Sequence, residues 1–386
     1  MSYHFRSLRT RVRAKISTSI LGCFKTLFKT STEVRTRIWC VSSILMLFGL
    51  IGCDSEQSPT VEQKQHKMSV VLMIPQEPDN DPWSAEGQEG AERIKSQLNA
   101  HVHLVTSSDP NKVSEEVLME KIRHDLEQGV RVVIGLGGQY EAFLRQLAER
   151  FKYTGVAIVG EVEGNHRNFG GAAGRFNDIG YVMGVLAAKQ LKQNNHSDEK
   201  RVAFLGGIPF KTYQRMADAY GRAIATYLPN SEVLTDWVGS FADPDLSVNK
   251  AKALLDQGVQ VLFINTGMGN KAVIELARKY PTSRVLVIDT EPRDGWNTKQ
   301  VLATGTMDVA GIITQTAHMV GKGHWRGEQV WFSFEEEVAQ IRFNPALVSE
   351  HDQHQIAEVI QQLEGGQLYG NLKMDQSEGD QLESSQ

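Results

Sequence analysis

Trp83 stands in "NDPWSAEGQEG", between a proline and a serine at the mouth of a stretch with helical spacing. A large flat side chain there can staple the loop to the helix, or it can stack on a flat ligand, because every heteroaromatic base has a π-face. The second group of interest is "LFINTGMGNKAVIELA": a strand, then Gly267 and Gly269, then a helix, with Asp289 ending the next strand. Its spacing fits a dinucleotide fingerprint, in which small residues let backbone N–H groups approach a phosphate. The motif falls late in the chain and no hydride-transfer constellation accompanies it, so another ligand or tight packing is also open. Hydrolytic and metal chemistry find no support: Gly-x-Ser-x-Gly, Walker and His-Glu-x-x-His patterns do not occur. His351 and His354 lie in the polar "SEHDQHQ", and Glu335, Glu336 and Glu337 read as a solvated acidic edge. We expect a binding protein without catalytic residues, metal or cofactor, with an NAD-dependent oxidoreductase as the weaker alternative.

A third chemistry belongs to Cys53. The three cysteines, Cys23, Cys40 and Cys53, all fall in the first 53 of 386 residues, which leaves the rest without disulfide or thiolate site. The run Ile38–Ile51 is short for a membrane span but fits the apolar core of a signal peptide. Its ending, "LIGC", resembles the bacterial lipobox, with Cys53 the thiol that takes lipid. A one-pass anchor or a mitochondrial presequence would leave unexplained the polar tether "DSEQSPTVEQKQHK" that follows. Asp54 resembles the signal that keeps such proteins in the inner membrane, facing the periplasm. Residues 1–33 are unusual before a signal of this kind, and Val34 is an alternative start. Beyond Cys53 there are 32 basic against 45 acidic residues, a net of −13 that argues against nucleic acid as a partner.

The elements that must position these residues follow from hydrophobic period. "SVVLMIP", "HVHLVTS", "VRVVIGLGG" and "GVAIVGE" read as buried parallel strands, separated by amphipathic helices such as "EEVLMEKIRHDLEQG". The alternation restarts after "FNDIGYVMGVLAAKQLKQ" with "RVAFLGG", "EVLTDWVG", "VQVLFINTG" and "SRVLVID". Two sets of βα units predict an α/β protein of two doubly wound lobes. Ligands of such sheets sit beyond the carboxyl ends of the strands, which is where Trp83 falls.

These motifs together resemble the basic membrane protein (PnrA-like) family of nucleoside-binding lipoproteins that serve ABC transporters, with the type I periplasmic binding-protein fold. The matching stretches are "NDPWSAEGQEG", "FNDIGYVMGVLAA", "FLGG", "VGSFADP", "NTGMGNKAVIE", "VLVIDTE" and "IRFNPALV", from about Met68 to Tyr369. The resemblance implies a purine nucleoside clamped between two aromatic side chains, here Trp83 and Phe241, with Asp289 and Glu291 on the ribose hydroxyls and Gly267 at the ligand turn. For Phe241 a core contact between lobes is the competing role. Asn80, Asp81 and Ser84 occupy the family's polar positions around the first aromatic, with Ser84 in place of an asparagine. Met307 or a neighbour replaces a common lysine. The implied organisation is a signal segment (1–52), a tether (53–67), one lobe from 68–176 plus 291–338, another from 177–290 plus 339–370, and a disordered tail (371–386). Hinge crossings are expected near Phe176, Thr290 and Gly305. The implied partners are a small nucleoside-like ligand, a membrane reached through the lipid anchor, and an ABC permease of the inner membrane, with the receptor itself a monomer. A sensor that signals to a membrane partner without transport is the alternative.

Overall fold

The computed structural model describes residues 67–193, 200–289 and 299–366. Cys53, Asp54, the tether, Thr290, Glu291 and the C-terminal tail lie outside the described residues. The first half runs β1 (Ser69–Met73), α1 (Pro82–Leu98), β2 (His101–Val105), α2 (Glu115–Glu127), β3 (Val132–Leu136), α3 (Glu141–Arg150), β4 (Gly155–Val159) and β5 (Phe169–Gly174). Next come α4 (Phe176–Gln193), β6 (Lys200–Gly206), α5 (Lys211–Tyr227), β7 (Ser231–Trp237), α6 (Pro244–Asp256), β8 (Val261–Asn265), α7 (Asn270–Ala277) and β9 (Arg284–Asp289). The chain continues through β10 (Val301–Met307), α8 (Val309–Gly321), β11 (Val330–Phe332), β12 (Ala339–Phe343) and α9 (Glu350–Glu364).

Two six-stranded sheets result, in the orders β11-β5-β4-β3-β1-β2 and β12-β10-β9-β8-β6-β7. Pairing is parallel except between β10 and β12. Strands such as β3 and β8 are buried along their whole length, because helices cover both faces; that is why they read as continuous β-branched runs rather than alternating ones. Val70 and Leu72 face one apolar cluster while Val71 and Met73 face another. In the second lobe α4 and α5 pack closely, since a Cβ on Gly180 would meet the Met216 carbonyl oxygen at 2.3 Å and one on Gly184 the Tyr220 carbonyl oxygen at 2.5 Å.

The expected boundary at residue 290 assigns "VLATGTM" to the first lobe, and there the structure differs. β10 pairs with β9 and β12 in the second sheet, and Gly305, expected at a hinge, lies inside it opposite Ile288 and Ile341. Which sheet takes a buried strand is decided by pairing partners far away in sequence, which its own composition does not encode. The chain passes between sheets after Gly174, at Met307–Asp308 and between Phe332 and Ala339. These passages are bound to one another: Arg175 N–H donates to the Phe332 carbonyl at 2.8 Å and Asp308 N–H to the Val338 carbonyl at 2.7 Å. The Ser333 hydroxyl donates to the buried Asp178 carboxylate at 2.5 Å. Glu336, expected as part of a solvated edge, instead accepts from Ser333 N–H at 2.8 Å and closes the third passage; Glu335 and Glu337 are exposed.

Candidate ligand-binding site

The carboxyl ends of the first sheet's central strands carry Trp83. A single 3-10 turn, Pro78–Asn80, leads into α1, and Asp81 is its N-cap. Asp81 Oδ2 accepts from Ser84 N–H at 3.0 Å and from the Ser84 hydroxyl at 2.7 Å, and Ser84 Oγ accepts from Gln76 N–H at 3.1 Å. Such a cap satisfies donors that the helix cannot, for about 1 kcal/mol. Ser84 is fully buried by it, so its hydroxyl is held behind the loop. Asn80 is exposed at the turn. Trp83 is 39% exposed and its indole N–H reaches the Leu136 carbonyl, at the end of β3, at 3.4 Å. That bond fixes one edge of the ring and leaves it without an aromatic neighbour among the described residues. Nearby, the Ser107 and Thr106 hydroxyls hold the exposed Glu77 carboxyl below its ordinary pKa, with Ser107 Oγ donating at 2.6 Å.

The second sheet's edge is aromatic. Phe241 follows β7 and is half-buried, its ring so close to Gly207 that a Cβ there would come within 2.3 Å. Gly267 has φ +61°, and a Cβ on it would stand 2.6 Å from the Phe241 carbonyl oxygen, which accepts from Met268 N–H at 2.9 Å. Gly269 likewise makes room for Ser247. The glycines of the fingerprint-like stretch therefore seat the Phe241 loop against the end of β8. Phe210, 55% exposed, lies 6.5 Å from Phe241 with the two ring planes 30° apart. Tyr213 meets Phe241 edge-on at 5.6 Å and Phe176 at 5.3 Å; burial raises the Tyr213 phenol pKa, so it stays neutral. Met268 is 69% exposed beside them. The Asn270 side chain ties two strand ends together, accepting from Thr266 N–H and Oγ1–H at 2.9 Å each and donating to the Ile288 carbonyl at 2.8 Å. Asp289 is thereby set next to the Gly267 turn, half-buried and already engaged by a partner.

The two edges meet at Arg215. This α5 residue forms a two-pronged ion pair with Glu161, in the loop after β4, with one prong at 3.1 Å, and its guanidinium lies 5.5 Å from the Trp331 ring centre. The structure thus sets Trp83, Asn80 and Asp81 on one sheet's edge and Phe241, Gly267 and Asp289 on the other's. Met307 is buried at the second passage against Gly174, so this side chain brings no cation to the site. Sequence reasoning passed over Phe210, Tyr213, Gln139 and Arg215; "GIPFKTYQR" and "GLGGQ" each follow a buried strand, and that position is the signal that could have found them.

The family described as ABC transporter substrate-binding protein PnrA-like matches residues 67–368. Among curated relatives, a nucleoside-binding protein of an ABC transporter from Lactococcus lactis is 22% identical over 52% of this chain and 60% of its own length. An uncharacterised lipoprotein from Pyrococcus abyssi is 20% identical over 77% of this chain and 74% of its own. Among solved structures, a solute-binding protein of an ABC transporter system from Aeropyrum pernix superposes with a TM-score of 0.59 at 17% identity, covering 78% of this chain and 92% of the other.

Proposed function

The chain belongs to the PnrA-like family of ABC transporter substrate-binding proteins, and from that membership we propose that it captures a purine nucleoside or a similar heteroaromatic ligand between Trp83 and Phe241. The observation that carries the reading is the pair of partly exposed rings, one on the carboxyl edge of each sheet. Stacking on such rings is worth about 1–3 kcal/mol per base. Asp289 and Glu291 accept hydrogen bonds from the sugar hydroxyls, the Gly267 turn offers backbone N–H groups, and Asn80 and Asp81 Oδ1 face the ligand's polar edge. Ser84 supports this loop from behind. Rotation of the lobes about the three passages buries the ligand, and the closed form is what a permease recognises. Cys53 carries the lipid that holds the receptor at the periplasmic face of the inner membrane, a role supported by the lipobox-like "LIGC" and by a relative named as a lipoprotein.

A thermal-shift screen of nucleosides, free bases, flavins, sugars and amino acids tests the reading, since a specific ligand raises the melting temperature by mass action. Purine nucleosides are expected to stabilise the fold most. Trp83→Ala should then weaken binding about 5- to 150-fold. Stabilisation by a sugar or amino acid alone, unchanged in Trp83→Ala, would leave Trp83 as a staple and end the clamp.

A further inference from the structure

The Leu136 carbonyl accepts from two side chains at once, the Trp83 indole N–H at 3.4 Å and the Gln139 amide N–H at 3.3 Å. The ring edge and the amide are therefore neighbours on one oxygen. The backbone is shaped to allow it. Gly137 sits at φ +115°, and a Cβ there would come within 2.3 Å of Gln139 Oε1 and 2.9 Å of Nε2, so only glycine lets the amide fold back over the strand end. An amide tethered through one N–H keeps a second N–H and a carbonyl oxygen. Neither has a partner among the described residues. Half-buried next to a ring suited to stacking, the amide offers one donor beside one acceptor.

We propose that Gln139 reads the edge of the base. The inference rests on the nucleoside reading and sharpens it: the ligand is a purine with a donor next to an acceptor on one edge, such as the amino–imine edge of adenine or the lactam of hypoxanthine and guanine. Side-chain amides pair with such edges through two hydrogen bonds, and each good pair discriminates about 5- to 150-fold against a base that lacks the match. A role confined to tethering the Leu136 carbonyl would instead affect every ligand alike, because no ligand atom would touch the amide.

The test is a titration of adenosine, inosine and purine riboside, which has no exocyclic group, against the wild-type receptor domain and Gln139→Met. Wild type is expected to prefer adenosine or inosine over purine riboside by about ten-fold. Gln139→Met should bring the three within about two-fold of one another, with purine riboside affinity retained as the sign that the clamp is intact. Equal weakening of all three ligands in Gln139→Met, or an unchanged preference, would overturn the proposal while leaving the nucleoside reading in place. Failure of all three to bind wild type would remove both.

Discussion

Glu86 lies one turn of α1 beyond Trp83, and its carboxyl pKa is raised from an ordinary 4.5 to about 7, first by burial and then by the negative charges of Glu89 and Asp308. The Ala310 N–H and Arg93 act the other way without cancelling this; Arg93 is already shared between Asp308 and Glu89, each at 2.5 Å. A folded pKa above the unfolded one means the native state holds the extra proton between about pH 4.5 and 7. The stability linked to Glu86 is therefore complete below about pH 4.5 and lost as pH rises through 7. Discounted for partial solvent screening, about 1–2 kcal/mol is involved. Glu86→Gln should consequently gain on wild type by about 2–6 °C in melting temperature between pH 5 and pH 8; a constant difference across that range would refute the assignment. Residue identity made some of this site readable in the sequence and hid the rest. Trp83 is conspicuous because so large a ring at a helix mouth demands a reason. Asp81 and Ser84 looked equally available, yet their side chains are largely used in capping, which polar residues at a helix start do as readily as they bind ligands. Gln139 follows a buried strand, but its nearness to the ring depends on Trp83 reaching the same carbonyl from 53 residues away.

At the scale of elements, the alternation of strand and helix was legible because burial on both faces forces continuous apolar strands. The lobe to which β10 belongs was not, because β10 is an ordinary buried strand whose place is fixed by β9 and β12. Helix α5 shows what such placement does. It packs on α4 in the second lobe, yet its Arg215 pairs with Glu161 and lies over Trp331 on the first. If the lobes part to release a ligand, as proposed above, this pair has to break, and its free energy then enters release more than capture. A partly exposed pair is worth up to about 1 kcal/mol. Arg215→Met is thus expected to raise the ligand dissociation rate up to about five-fold with the association rate nearly unchanged. Glu161→Gln should do the same, and the double variant should be no worse than either single one. Stopped-flow recording of tryptophan fluorescence would measure both rates, and an unchanged dissociation rate in both single variants would show that the bridge does not govern release.

For the whole molecule, attachment and synthesis matter as much as the site. If Cys53 carries the lipid, a fatty-acid probe fed to growing cells should mark the wild-type chain and not Cys53→Ser, whose product should leave the membrane fraction; equal labelling of the two would rule the anchor out. The same chain must also be built from one end. Strand β5 pairs with β4 on one side and with β11 on the other, and β11 is not made until Val330–Phe332, after every strand of the second sheet but β12. A nascent chain therefore exposes the bare flank of "FGGAAG" while the ribosome makes the intervening stretch, roughly ten to thirty seconds at ordinary elongation rates. Unpaired strand flanks invite pairing with other chains. Messages that slow translation between the codons for Gly174 and Val330 would lengthen that window, and the yield of soluble receptor would fall with no change in the encoded protein.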